Sequence, residues 1–408
     1  MTSNSDSVTW LANILLRPLK IYENTFNYAI YSTIFILFSA FSILGNIIGF
    51  LNVTGTVDKL EALVAITSQL NGVLLYLGVH RYRKQILQLF IKLEEKQPNT
   101  DAIPNRTEVF VKIKLIWFSV ALGISTTLFV ASSLITYFME DKISDKHSLL
   151  IPFWFSCGDP NFNRVLCWET STKDDLLAKN IILFGVVNTQ IFAYISSFVS
   201  FGINVGQLEM HLQNIEKRVD RLNSEADEAE TAINGAEKLG IELSEIHVDE
   251  DDFHRQFLEI IKYQQFLYGC IKSTVQPWKT YVSYYYASAI VDVTLLLFSA
   301  GMEYRNEKSL ALRAMTLCQM RLLMAFIIAH CSHIISHLNE DFSHLLAKIR
   351  WYERNAKFQK IYLRMLCFHQ KTNVMKIYGI MEVNFNFYAN MLNKIYSFVN
   401  LLILRYKT

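Results

Sequence analysis

Three histidines, His330, His333 and His337, stand three and four residues apart, with Glu340 close behind. On a helix this spacing sets all three imidazoles on one face, where they could ligate a metal. No carboxylate lies among them to act as a general base, and imidazoles at a helix end also bond to neighbours or water, so no metal is expected. Nowhere does the sequence gather a nucleophile, paired carboxylates or a zinc-type cysteine spacing into one centre. The expectation is a protein that is not an enzyme and needs no cofactor.

A second polar series is longer. Asn386, Asn390, Asn393, Ser397 and Asn400 follow one another at steps of four, three, four and three inside the apolar segment Val383–Leu404. Those steps trace one helical face. Amides are kept away from lipid, so a seam of this length must face a protein neighbour, a water-filled path, or both. Closed against copies of itself or of a homologue, it would line an ion pore.

The elements that carry these residues are membrane spans. The 408 residues are 51% hydrophobic, with 28 Phe and 20 Tyr, and several apolar runs exceed the roughly 20 residues that cross a bilayer. Net charge of +2 gives no support to a nucleic-acid partner. The expected fold is an all-α membrane protein with seven transmembrane helices, near 26–51, 60–79, 113–138, 176–206, 278–302, 309–336 and 383–404. The second span is expected to end at the basic cluster His80-Arg81-Tyr82-Arg83-Lys84. Residues 80–114, 207–279 and 338–376 each hold about eight Lys and Arg, whereas the alternate loops hold a handful. The N-terminus is therefore expected in the cytoplasm and the C-terminus outside, with the sequon at Asn52 outside and that at Asn105 inside.

The cytoplasmic parts keep helical apolar spacing, as in Phe257, Ile260, Ile261, Leu267 and Ile271, and read as extensions of the spans packed into an inner bundle. Three regions follow: 1–337 with spans 1–6, 338–383 with cytoplasmic anchor helices, and 384–408 with the last helix and a short tail. The stretch 216–252 holds about thirteen acids against four bases and reads as a mobile, solvated insert. In the second outer loop, Cys157 and Cys167 would tie down a lid if bridged and would not as free thiols.

Polar and aromatic residues recur in spans 3–6, among them Ser133, Tyr137, Phe184, Asn188, Tyr285, Tyr286 and Met320. They are assigned to the outer halves, where they could form an apolar pocket with a few orienting hydroxyls. The same residue types are ordinary helix-packing material, and both uses stay open at this level.

The C-terminal third carries a more specific pattern. It runs from Cys331-Ser332-His333 through Leu345-Leu346-Ala347-Lys348-Ile349-Arg350-Trp351-Tyr352 and Met365-Leu366 to Asn390-Met391-Leu392-Asn393-Lys394-Ile395-Tyr396-Ser397-Phe398-Val399-Asn400-Leu401-Leu402. With Leu150-Ile151-Pro152-Phe153-Trp154 in the second outer loop, it resembles the insect odorant receptor family. Thr372-Asn373 stands where the family usually has a proline before the last helix, and the Gln-Phe pair of the sister gustatory receptors is missing from that helix. The inner loop is shorter than in the shared coreceptor, so the chain looks like a ligand-tuning subunit.

The resemblance implies an odorant-gated, non-selective cation channel of the plasma membrane, a heterotetramer with the coreceptor in which each subunit gives its last helix to one pore. It implies a gate at Leu401 and Arg405, with Ser397, Asn400 and Leu404 beside it. It also implies a site for a small volatile hydrophobic ligand between spans 2 and 6, with Thr67, Asn71, Phe129, Ser133, Tyr137, Phe184, Asn188, Tyr285, Tyr286 and Met320 as candidate contacts. A seven-span receptor signalling through a partner without its own pore is the alternative. Against it stand the inverted orientation and the missing Asp-Arg-Tyr and Asn-Pro-x-x-Tyr motifs.

Overall fold

The computed structural model describes 56–95, 201–225, 250–303, 308–369 and 374–407, with isolated residues among 33–51 and at 198, 227, 228 and 231. In chain order its helices are α1 (Thr56–Glu95), α2 (201–225), α3 (Glu250–Val275), α4 (Lys279–Glu303), α5 (Lys308–Ala347), α6 (Ala356–His369) and α7 (Phe385–Lys407). A 3₁₀ turn, Trp351–Glu353, precedes α6, and a two-stranded antiparallel hairpin, β1 (Lys376–Ile377) and β2 (Met381–Glu382), precedes α7.

Two helices, α1 and α5, are 40 residues long, about 60 Å at 1.5 Å per residue. That is twice the thickness of a hydrocarbon slab, so each continues well beyond one crossing. Among the described residues, Lys279–Met302 and Ala314–Ala347 are long and apolar enough to cross a membrane, and Ala62–Gly78 is a shorter apolar stretch. The basic cluster at 80–84 does not end the second span's helix: α1 runs on to Glu95, with Ile86, Leu89 and Leu93 buried on one side. A charged turn stops the membrane crossing without stopping the helix, because backbone hydrogen bonds continue in water.

The extensions pack into a bundle. Phe257, Ile260, Ile261, Leu267 and Ile271 of α3 are all buried, as their spacing predicts. Phe358 of α6 meets Phe257 at 4.5 Å between ring centroids, and Trp351 stacks on Tyr362 at 5.1 Å. The Asn355 side chain caps α6 by accepting from the Phe358 amide at 2.9 Å. Helix α2 reaches 225 with Val219 and Leu222 fully buried, and α3 begins at Glu250. The acidic insert assigned to 216–252 is therefore narrower at both ends, because Ile215, Val219 and Leu222 continue a helical apolar stripe under the surface charges.

One buried polar contact ties this bundle together. His211 Nε2 lies 3.0 Å from the Leu93 carbonyl near the end of α1. A carbonyl only accepts, so Nε2 carries the proton and Nδ1 accepts from the Tyr263 hydroxyl of α3. Burial lowers the His211 pKa, against the opposing bond to Leu93. The Arg218 guanidinium lies 5.1 Å from the centre of the Tyr263 ring.

The hairpin ahead of α7 has no counterpart in the sequence expectations. Tyr378 and Gly379 both take positive φ, 49° and 76°, and the Ile380 amide donates back to the Ile377 carbonyl at 3.0 Å. A turn with two left-handed residues matches the twist of a hairpin. Here Gly379 is needed for it, and Tyr378 sits where Asn or Gly is usual. The Tyr378 amide donates to Ser283 Oγ at 3.0 Å, fastening the hairpin to the start of α4.

Candidate functional site

Helix α7 starts where Asn384 accepts from the Phe387 amide through its side chain at 2.8 Å and from the Tyr388 amide through its carbonyl at 3.0 Å. Its 23 residues span about 35 Å, enough to cross a bilayer. One side is packed: Met391 and Ile395 are each 2% exposed, with Phe387, Tyr388, Leu392 and Val399 partly covered beside them. This side lies against α4 and α5. Asn386, Asn390, Asn393, Ser397 and Asn400 are all exposed. At about 100° per residue the seam is centred roughly opposite Ile395. Leu404, 68% exposed, continues its steps at the C-terminal end, while exposed Leu401 and Arg405 flank it.

The three histidines lie at the other side of the α5–α7 contact. His333 meets the Phe385 ring at 4.6 Å and His337 at 4.2 Å, and His330 stacks on Phe326. His337 Nδ1 is 3.1 Å from Glu340. No group of His, Cys, Asp or Glu among the described residues has a metal-holding arrangement. Here His330 and His333 pack as aromatic rings against Phe385 in the first turn of α7, and His337 packs edge-on against His333.

Behind α7, the structure places five of the ten candidate ligand contacts; Phe129, Ser133, Tyr137, Phe184 and Asn188 lie outside the described residues, as do Cys157 and Cys167. Thr67 and Asn71, one turn apart on α1, meet two groups one turn apart on α4. The Thr67 hydroxyl donates to Asp292, and Asn71 Nδ2 donates to Ser288 Oγ at 2.7 Å. Asn71 Oδ1 is buried with no hydrogen-bond partner among the described residues. Met320 of α5 is half-buried against this core.

Tyr285 and Tyr286 are fully buried. Their hydroxyls donate to the carbonyls of Arg321 at 2.8 Å and Ala325 at 2.7 Å. Both stand within two turns of the α4 end that adjoins the basic 207–279 segment. They lie in the first third of α4. Apolarity and aromatic content report that a residue is inside a span, but not how deep.

The sequence expectations missed a buried ion pair. Arg321 of α5 brings Nη2 to 3.2 Å from Asp292 Oδ2, with 9% and 0% of the two side chains exposed. That carboxylate oxygen has no aligned hydrogen bond, so the contact is one of charge. Arg321 also donates to Ser68 of α1 and lies 5.9 Å from the centre of the Tyr285 ring. The signal available was one acid and one base standing alone inside two apolar runs.

A seven-transmembrane odorant receptor family model matches residues 55–396, which takes in every helix just described up to the middle of α7. The chain belongs to the odorant receptor family. It is accordingly a membrane protein of a receptor family rather than an enzyme family. This odorant receptor is similar in structure to the insect olfactory receptor OR5 from Machilis hrabei, with a TM-score of 0.72 and 12% identity over 97% of both chains. It is similar also to that receptor in complex with eugenol, with a TM-score of 0.69 and 12% identity over 98% of both chains. At that identity the likeness establishes the seven-helix fold. No curated protein matches the chain.

Proposed function

We propose that this odorant receptor is the ligand-tuning subunit of an odorant-gated, non-selective cation channel, working in a heterotetramer with the odorant receptor coreceptor in the plasma membrane of sensory dendrites. The observation that carries the reading is the two-sidedness of α7. Its apolar face is spent on its own subunit, and its amide and hydroxyl face points away from that core. A polar face of full bilayer length requires water or polar partners. Four last helices around an axis supply both.

In this reading Ser397 and Asn400 line the narrow outer part of the pore, and Leu401, Leu404 and Arg405 form its mouth. Arg405 favours a heteromer, since four like charges at one constriction would repel one another and the passing cation. The N-terminus is cytoplasmic and the C-terminus outside. The ligand is a small, mostly apolar volatile held between spans 2 and 6. Thr67, Asn71, Phe129, Ser133, Tyr137, Phe184, Asn188 and Met320 line the site, and Tyr285 and Tyr286 form its inner floor. The eugenol complex of the Machilis hrabei receptor supports a ligand of that size. The ligand opens the pore only by binding the open arrangement more tightly than the closed one.

Whole-cell current is recorded while small volatiles are applied to cells expressing this chain, the coreceptor, or both. Evoked cation current that requires both subunits is expected. A response carried by a second messenger, with no conductance of its own, would overturn the proposal.

A further inference from the structure

We propose that Asp292 and Arg321 are positioning residues that couple the helices of the ligand site to the pore helix, an assignment that rests on the channel reading above. Each stands thirteen residues from the start of its helix, about 20 Å along the axis and deep in the apolar slab. Around them four helices converge. Thr67 of α1 donates to Asp292, and Arg321 donates to Ser68, the next residue on α1. Tyr285 of α4 donates to the Arg321 carbonyl. One residue further along α5, the Leu322 carbonyl accepts from the Tyr388 hydroxyl of α7 at 3.3 Å. Tyr286, next to Tyr285, meets the Phe387 ring of α7 edge-on at 5.1 Å.

The physical consequence follows from the charge. If α1 or α4 slides relative to α5, either the pair separates or α5 moves too. Separation would strand a bare carboxylate and a bare guanidinium in hydrocarbon, which is strongly unfavourable. The three helices therefore shift as a unit. Because Leu322 and Tyr286 hold the first turn of α7, the shift reaches the pore helix at its root. A buried pair adds little to stability beyond what an apolar pair of the same volume would give, so fold maintenance alone does not account for it.

The test uses the full-length chain with the coreceptor, eugenol and a panel of simple alcohols, ketones and esters as probes, and surface biotinylation beside current recording. Asp292→Asn and Arg321→Gln alone each leave one charge unpaired and should lower surface level. The double variant D292N/R321Q removes both charges and should return to near wild-type surface level. Its evoked current per surface channel should nevertheless fall about tenfold, the size of a typical coupling between sites, with ion selectivity unchanged. Wild-type current per surface channel in the double variant would overturn the proposal. If no probe evokes current from the wild type, the channel reading fails first. The pair is then judged by the thermal midpoints of the four purified proteins: additive effects of the two substitutions would overturn it as well.

Discussion

Asn71 Nδ2 and Ser288 Oγ lie 2.7 Å apart between α1 and α4, one helical turn from the contact of Thr67 with Asp292. Asn71 is fully buried, so removing its amide takes away the donor to Ser288 Oγ, which keeps only its own bond to the Tyr285 carbonyl at 3.0 Å. Asn71→Leu should destabilise the receptor by about 1–3 kcal/mol and Ser288→Ala by about 1 kcal/mol. The double substitution should fall short of their sum, since both remove one bond. Thermal unfolding of the purified protein in detergent measures all three; strict additivity would place the bond elsewhere.

Acid should loosen the bundle through His211. Burial holds its folded-state pKa below the usual value of 6.5, so the unfolded chain takes the proton first as the pH falls. The contribution of His211 is fully present above about pH 6.5 and declines as the pH drops from there toward the lower folded-state value. A proton on Nδ1 would also abolish its acceptance from Tyr263. The thermal midpoint should therefore fall below pH 6.5 in the wild type. His211→Gln, which keeps a donor for Leu93 and an acceptor for Tyr263, should flatten that part of the slope.

The hairpin turn gives two changes of opposite sign. Gly379 at φ 76° has open space where a Cβ would go, so Gly379→Ala meets only the backbone penalty, about 1–2 kcal/mol for a left-handed L-residue. Tyr378 already bears such a penalty at φ 49°, and Tyr378→Asn should relieve part of it. Midpoints that shift the same way for both would refute this account of the turn.

The sequence shows the apolar helices α4 and α5 and the two faces of α7 well, because hydropathy and the three-and-four spacing are local signals that the helix merely displays; the spans expected near 113–138 and 176–206 lie almost wholly outside the described residues. Asn386 to Asn400 keep their common face, and Phe257 to Ile271 keep theirs. Relationships between distant segments were not legible. Asp292 and Arg321 find each other across separate spans, and nothing near either residue names its partner. Tyr285 and Tyr286 spend their hydroxyls on the Arg321 and Ala325 carbonyls of α5, and nothing beside either tyrosine in the sequence names those acceptors. The hairpin at Lys376–Glu382 escaped notice because its strands are two residues each and its turn uses Tyr-Gly instead of Asn-Gly.

The two faces of α7 can be told apart in a conducting channel. Ser397→Cys, Asn400→Cys, Leu404→Cys and Ile395→Cys are each expressed with the coreceptor, and a water-soluble, charged thiol reagent is applied during current evoked by the volatile most effective on the wild type. The pore account predicts that the reagent alters current through the first three and leaves Ile395→Cys, on the packed face, like the wild type. Modification of Ile395→Cys with no effect at Ser397, Asn400 and Leu404 would contradict it.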